Sequence, residues 1–144
     1  MKYILLLIAT SIILFAFSDQ EKKQVIFSPN VAAPIGPYSQ GIKSGGFVFL
    51  SGQIALKADG QLDTSSIENE TKQVLDNIKL ILAADHLQMS DINKVSIYTT
   101  NMGYFSRINE VYQSYFNKPY PARETIQVSA LPKGAHIEIS VIAD

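Results

Sequence analysis

A stripe of apolar residues at helical spacing in the middle of the chain constrains its fold more than any other feature. The stripe consists of Ile67, Val74, Leu75, Ile78, Ile81 and Leu82. This spacing places the side chains on one face of a helix of about five turns, and Ser65-Ser66-Ile67-Glu68 offers a capping box at its start. A second stripe, Phe105, Ile108, Tyr112 and Tyr115, predicts another amphipathic helix that ends before Pro119. Both helices must bury their apolar faces against another layer of structure.

Segments typical of β-strands surround the two helices. They are residues 24–27, 38–43, 47–51, 94–100, 123–130 and 135–143. Gly45-Gly46 marks a hairpin turn between the second and third strands, and Pro132-Lys133-Gly134 joins the last two strands as a second hairpin. The order β, ββ, α, β, α, ββ predicts one α+β domain, in which both helices cover one face of a single sheet.

The first 18 residues form a separate unit. Lys2 precedes an uncharged run over residues 3–17, and Ala16-Phe17-Ser18 has small residues at the two positions that a signal peptidase reads. This layout is typical of a secretory signal peptide, and the run is shorter than the ~20 apolar residues of a membrane span. We therefore expect a signal peptide at 1–18 and a mature domain at 19–144, exported to the periplasm or secreted. An uncleaved membrane anchor is the alternative.

Composition narrows the function classes. The chain has 144 residues, with 12 Lys and Arg against 13 Asp and Glu, and this balance argues against binding of a nucleic-acid backbone. It contains no cysteine, which excludes disulfides, a cysteine nucleophile and thiolate metal sites. With two histidines, His86 and His136, a zinc site is disfavoured, and we expect no metal.

Two charged residues in the last two strands are candidates for chemistry. The Arg123 guanidinium can fork onto the carboxylate of a small ligand; an ion pair, for example with Glu124, is the alternative. Glu138, between Ile137 and Ile139, can act as a general acid or base on a water molecule, or it can be a solvated strand carboxylate. On one hairpin the two residues would lie on the order of 16 Å apart, so a shared site would need two subunits.

Strand alternation predicts a mixed, polar second face for the sheet. Side chains alternate between the two faces of a strand. The residues assigned to this face are Arg123, Thr125, Gln127 and Ser129 on one strand and His136, Glu138 and Ser140 on the last. A flat surface of this kind predicts self-association, with clefts between subunits.

Three further residues are candidates for ligand contact. Tyr38 follows the rigid turn Gly36-Pro37 and can place a phenol against a ligand, or it can be an aromatic residue of the core or of an interface. Ser51 ends a strand beside Gly52, which lets a ligand or a second backbone approach closely, although an ordinary strand end has the same pattern. Asn109 lies on the second helix, where a solvated amide is the alternative.

Four motifs occur in a fixed order along the chain. They are Gly36-Pro37-Tyr38-Ser39-Gln40-Gly41, Ser51-Gly52-Gln53-Ile54, Pro121-Ala122-Arg123, and LPKGAHIEI over residues 131–139. Together with the order of strands and helices, they resemble the RidA/YjgF family of enamine/imine deaminases, formerly described as translation inhibitors or L-PSP endoribonucleases. The resemblance implies a chorismate-mutase-like fold, with a single mixed sheet and two helices on one face, and a homotrimer with clefts between subunits.

The resemblance also implies an activity and residue roles. The activity is hydrolysis of reactive enamines and imines, such as 2-aminoacrylate and 2-iminopropanoate, to 2-keto acids and ammonia without a cofactor. Arg123 corresponds to the residue that binds the substrate carboxylate, and Glu138 to the one that orients or activates the attacking water. Tyr38, Ser51 and Asn109 correspond to residues that line the pocket.

Two residues depart from the family pattern. Thr125 stands where many deaminating members have cysteine, and we place it with the substrate-binding residues. Glu124 stands where a small or apolar residue is usual, and its carboxylate is expected to compete for the Arg123 guanidinium. Two other functions stay open: a non-enzymatic ligand-binding or chaperone-like trimer, and, less favoured by the charge balance, an endoribonuclease.

Overall fold

The structure, a computed structural model, describes residues 22–144, so the segment for which a signal peptide is predicted lies outside the described residues. The strands are β1 Gln24–Ile26, β2 Gly41–Ser44, β3 Phe47–Gln53, β4 Ile92–Thr99, β5 Ala122–Gln127 and β6 Ile137–Ala143, and the helices are α1 Ile67–Ala83 and α2 Phe105–Gln113. Neither helix in this part of the chain is both long enough and apolar enough to span a membrane.

The six strands form one mixed sheet in the order β1-β2-β3-β6-β4-β5. β4 and β5 run parallel, with α2 as the connection between them, and the other neighbouring strands are antiparallel. Both helices pack on one face of the sheet, which confirms the predicted α+β class. The predicted hairpin between β2 and β3, with Gly45 and Gly46 in its turn, is also present.

The core lies between the two helices and the covered face of the sheet. Its fully buried side chains include Val74, Leu75, Ile78, Ile81 and Leu82 from α1 and Val95, Ile97, Ile137 and Ile139 from β4 and β6. The apolar stripe of α1 is therefore buried as its spacing predicts. Each such side chain stabilises the fold by roughly 1.5–3 kcal/mol.

The N-terminus of α1 lies one residue later than the predicted capping box implies. Ser66, not Ser65, is the N-cap, and its Oγ accepts the main-chain N–H of Asn69 at 3.1 Å. Ser65 is engaged by Asp63, whose Oδ1 accepts from the Ser65 hydroxyl at 2.6 Å and from its N–H at 3.2 Å. Because Asn69 rather than Glu68 occupies the third helical position, the predicted box is wrong by one residue.

The last two strands do not form the predicted hairpin. β5 ends at Gln127 rather than at residue 130, and β4 lies between β5 and β6 in the sheet. A helix carries the chain from β4 to a parallel β5, and the next segment must then pass the end of β4 to reach β6. Two main-chain hydrogen bonds hold this passage: Val128 donates to Thr99 at 2.9 Å, and Thr100 donates to His136 at 3.1 Å.

Arg123 and Glu138 lie on opposite faces of the sheet. Arg123 pairs with Val95, which is fully buried beneath the helices, whereas Glu138 pairs with Tyr98 on the open face. The prediction that both strands direct these residues to one polar face is therefore wrong. The reason is that α2 covers the start of β5 with an aromatic ring, that of Tyr112, on which the Arg123 guanidinium stacks.

The open face is more apolar than the alternation of β5 and β6 predicts. One row of side chains crosses it from strand to strand: Val25, Ile42, Phe49, Ile142 and Lys94. Val25 is 61% exposed and Phe49 is 44% exposed. Exposed apolar patches of this kind mark interaction surfaces.

Candidate functional site

The predicted site residues separate into two pockets. The Glu138 pocket, with a volume of ≈ 240 Å³, also has Tyr38 and Ser51 in its lining. The Arg123 pocket, with a volume of ≈ 670 Å³, has Asn109 in its lining. Thr125 lies two residues beyond Arg123 on the same side of β5, but among the described residues it lines neither pocket.

Glu138 extends from β6 over the backbone of β3. A Cβ at residue 52 would overlap its carboxyl group, so the glycine at this position makes room for Glu138 itself rather than for a ligand. No other group within residues 22–144 forms a hydrogen bond or an ion pair with this carboxyl group. Burial raises the pKa of Glu138 above its ordinary value, which makes the carboxylate a stronger proton acceptor.

Tyr38 and Ser51 keep hydrogen-bonding capacity that no group within residues 22–144 uses. The Tyr38 hydroxyl accepts the N–H of Ile35 at 3.2 Å, which leaves its O–H free to donate. The Ser51 hydroxyl donates to the carbonyl of Ser39 at 2.7 Å, which leaves its lone pairs free to accept. The pocket thus offers a donor, an acceptor and a carboxyl group to a small ligand.

Gln40 organises the wall of the Glu138 pocket, a role that the sequence analysis missed. Its buried amide accepts from Ser28 N–H at 2.7 Å and donates to the carbonyls of Ser28 at 3.2 Å and Ala32 at 3.0 Å. These bonds fix the proline-rich segment 28–37, part of which lines the pocket. The one indication in the sequence is that Gln40 lies inside the motif at residues 36–41. This motif has no periodicity that would identify a buried amide.

The Arg123 guanidinium is held by aromatic rings. Its central carbon lies 4.7 Å from the ring centre of Tyr112 and 5.9 Å from that of Phe105. None of the ion pairs within residues 22–144 involves Arg123, so its forked N–H groups remain available to an anion.

Two buried polar atoms near Arg123 have no hydrogen-bond partner within residues 22–144. They are the Oδ1 of Asn109 and the hydroxyl of Tyr112. Burial raises the pKa of Tyr112 to about 12, against the opposing effect of Arg123, so this hydroxyl keeps its proton. Since buried polar groups are almost always paired, these two atoms are candidates for further hydrogen bonds at this pocket.

The expectation that Glu124 competes for Arg123 is wrong. Its carboxylate lies on the open face, where it accepts from the Ser96 hydroxyl at 2.7 Å and from the Lys94 ammonium at 3.0 Å. These two donors hold the pKa of Glu124 below its ordinary value. Consecutive residues of a strand point to opposite faces, so Glu124 cannot reach the guanidinium beside it.

The two pockets are too far apart for one small ligand. Arg123 and Glu138 pair with Val95 and Tyr98, on either side of β4. Three residues along β4 and two strand spacings give a separation of about 14 Å, and the side chains also project from opposite faces. If Arg123 and Glu138 act on one ligand, they come from two copies of the chain.

Comparison with known proteins identifies the family. The family model described as Endoribonuclease L-PSP, the model of the RidA/YjgF proteins, matches residues 29–144. The chain belongs to the RidA/YjgF family. A RutC family protein of Pyrococcus horikoshii is 47% identical over 122 residues, which are 84% of this chain and 97% of that protein. A Dermatophagoides farinae protein named 2-iminobutanoate/2-iminopropanoate deaminase is 40% identical over 121 residues, which are 83% of this chain and 94% of that protein.

Solved structures of RidA/YjgF relatives have the same fold. The crystal structure of E. coli TdcF with bound serine matches with a TM-score of 0.79 at 35% identity, over 83% of this chain and 97% of that one. The four RidA/YjgF motifs map onto the two pockets. Motifs 36–41, 51–54 and 131–139 contribute to the Glu138 pocket, and motif 121–123 contributes to the Arg123 pocket. Each motif thus contributes to one of the two pockets, and motif 131–139 also supplies Ile137 and Ile139 to the hydrophobic core.

Proposed function

We propose that the protein hydrolyses reactive 2-imino acids and their enamine forms, such as 2-iminopropanoate and 2-aminoacrylate, to 2-keto acids and ammonia. Arg123 carries the proposal: within residues 22–144 its guanidinium has no ion pair, and it stacks on Tyr112 beside two buried polar atoms that have no hydrogen-bond partner in the same range. A small carboxylate is the ligand that fits its planar fork. The names of the deaminase relatives and the serine bound to TdcF support an amino-acid-like ligand.

The chemistry needs few groups, because an imine carbon is already electrophilic. Arg123 binds the carboxylate and fixes the orientation of the C=N bond, and Asn109 lies beside the bound substrate. Glu138 takes a proton from water as the oxygen adds to the imine carbon, and Tyr38 and Ser51 hold the polar groups around it. Glu138 returns this proton to the nitrogen, which gives a carbinolamine. The proton of the new hydroxyl group then also moves to the nitrogen, the C=O bond of the 2-keto acid forms as the C–N bond breaks, and ammonia leaves. Orientation of substrate and water supplies most of the acceleration.

We propose that this site forms between copies of the chain in a homotrimer. The separation of Arg123 from Glu138 and the exposed row from Val25 to Ile142 on the open face support self-association. Light scattering of the mature protein at micromolar concentration is expected to give about three times the mass of the chain. A stable monomer would contradict both the trimer and the shared site.

We also propose that the mature protein acts outside the cytoplasm. Lys2, the uncharged run over residues 3–17 and Ala16-Phe17-Ser18 support this. Mass spectrometry of the extracytoplasmic protein is expected to show a chain that begins near Asp19. Recovery of full-length chain in membranes alone would favour an anchor.

The decisive experiment measures the activity directly. The mature protein is mixed with 2-iminopropanoate generated in place by an amino-acid oxidase, and keto-acid release is compared with the spontaneous rate. We expect faster release with the protein than without it. If calorimetry detects binding of a small carboxylate but the protein does not accelerate keto-acid release, the result would favour a ligand-binding trimer over a hydrolase.

A further inference from the structure

Glu70 is a fully buried carboxylate that neither pocket contains. It lies near the start of α1 and faces the first residues of β6. Its Oε1 accepts the main-chain N–H of His136 at 2.6 Å and that of Ile137 at 3.4 Å. Its Oε2 lies 2.9 Å from Nδ1 of the His136 ring. Both oxygens are thus committed to the start of one strand.

The same strand start is held from its other side by β4 and the residue after it. The carbonyl of His136 accepts from the Thr99 hydroxyl at 3.0 Å and from the Thr100 N–H at 3.1 Å. The His136 ring also packs edge-on against Tyr104, with 6.1 Å between ring centres. The backbone at residue 136 is therefore fixed by α1 and by the end of β4 together.

Glu138 follows two residues later, and its carboxyl group has no hydrogen bond within residues 22–144. Its carboxyl group fits over Gly52 with no room for a Cβ between them. The position of the Glu138 carboxyl group relative to β3 therefore depends on where β6 begins. We propose that Glu70 is a positioning residue that sets the start of β6 and, through it, the place of the Glu138 carboxyl group in the pocket. The catalytic part of this proposal rests on the proposed function.

Reach rather than charge is the property that the geometry requires. Glu70→Gln keeps the length of the side chain, an oxygen that accepts the two main-chain N–H groups, and in place of Oε2 an NH2 group that can donate to Nδ1 of a neutral His136 ring. Glu70→Asp keeps the charge but withdraws the carboxylate by one C–C bond, about 1.5 Å. A misplacement of about 1 Å at a reacting group costs on the order of a hundredfold in rate. The two variants therefore separate a positioning role from an electrostatic one.

The first test is steady-state kinetics of imine hydrolysis by the assembled protein. Glu70→Asp is expected to lower kcat by tenfold to a hundredfold, roughly, with KM little changed, because Arg123 and its pocket are untouched. Glu70→Gln is expected to stay within about threefold of the wild type. Glu68 on the same helix is exposed and bound to Arg107, so Glu68→Asp and Glu68→Gln are matched controls, expected to be near wild type. Activity retained by Glu70→Asp and lost in Glu70→Gln would overturn the proposal.

The second test does not depend on catalysis. Carboxyl-carbon NMR of the assembled protein follows the titration of Glu138, whose pKa burial raises. In Glu70→Asp the pKa of Glu138 is expected to fall toward its ordinary value as the loosened strand admits water, whereas in Glu70→Gln it stays raised. This result in a protein without imine hydrolysis would sustain the positioning role and refute the proposed function. An unchanged Glu138 titration in Glu70→Asp would refute the positioning role.

Discussion

Arg123 is held in place by Tyr112 and Phe105 rather than by a carboxylate, which leaves its forked N–H groups for a ligand. Arg123→Lys keeps the charge but loses the planar fork and the stacking surface, so we expect kcat/KM for imine hydrolysis to fall by about tenfold. Arg123→Ala is expected to cost about one to two decades, from the roughly 1.5–3 kcal/mol of a hydrogen bond to a charged group. Keto-acid release, corrected for spontaneous hydrolysis, is the measurement.

Lys118 provides the matched control, because it is a second cation in the lining of the same pocket. Lys118→Ala is expected to change kcat/KM by no more than about twofold, since an ammonium has no planar fork. Equal losses in Lys118→Ala and Arg123→Ala would mean that the pocket attracts anions by charge alone, against a specific role of Arg123.

Gly52 and Glu138 compete for the same space, which makes their coupling measurable. Gly52→Ala places a methyl group where the Glu138 carboxyl group lies, so we expect kcat to fall by tenfold or more, roughly, through displacement of the carboxylate. Glu138→Ala removes the obstacle, and in that background Gly52→Ala is expected to add no loss of stability. A double-mutant cycle by urea unfolding tests this. Additive losses would show that residue 52 needs glycine for another reason.

Glu138 also gives the protein a pH signature. Burial raises its pKa in the folded state, so its protonated form stabilises the fold, and that contribution is lost as the pH rises through the raised pKa. Glu138→Gln mimics the protonated form and is expected to raise the free energy of unfolding at pH 7, with no difference from wild type below a pH of about 4. Urea unfolding at equal protein concentration measures both. A difference that does not change with pH would contradict the burial argument.

At the scale of helices and strands, the sequence predicts where the elements lie along the chain better than it predicts which strands are neighbours in the sheet. The stripe from Ile67 to Leu82 and the alternation around Ile137 and Ile139 identify α1 and β6 because burial follows the period of each element. The predicted hairpin between the last two strands is wrong because strand order depends on contacts between residues that are distant in sequence. The face of β5 predicted for Arg123 is wrong because α2 covers this residue with the ring of Tyr112. No local sequence pattern encodes that arrangement.

The start of α1 gives a prediction at the same scale. Ser66 caps the helix through the N–H of Asn69, whereas Ser65 bonds Asp63 and the side chain of Asn69. Ser66→Ala is expected to lower the free energy of unfolding by about 1 kcal/mol. Ser65→Ala is expected to cost less, because its bonds are exposed side-chain contacts. Chemical denaturation of both variants measures this, and a larger loss in Ser65→Ala would favour the capping box that the sequence predicts.

At the scale of the whole molecule, the sequence indicates which residues line the pockets but not how they are arranged. Five of the predicted site residues line a pocket: Tyr38, Ser51 and Glu138 line one, and Asn109 and Arg123 line the other. Their division between opposite faces of the sheet follows from strand order and from which face α2 covers. Neither is written in a motif. Because of this division, a single active site that contains both Arg123 and Glu138 requires the assembly of two copies of the chain.

Mixing variants decides whether two copies build one site. Arg123→Ala and Glu138→Gln each remove one half of the proposed site, so each variant alone is expected to have little activity. After joint unfolding and refolding of equal amounts, a site is complete when one neighbour supplies Arg123 and the other supplies Glu138. Random assembly gives about a quarter of the wild-type rate.

The control separates shared sites from failed refolding. A mixture of wild type with the double variant Arg123→Ala/Glu138→Gln is also expected to regain about a quarter of the wild-type rate under the shared-site arrangement. If each chain held a complete site, this control would retain half of the wild-type rate, while the two single variants together would regain nothing. Since Arg123 and Glu138 lie on opposite faces of one sheet, we expect the two mixtures to recover equally.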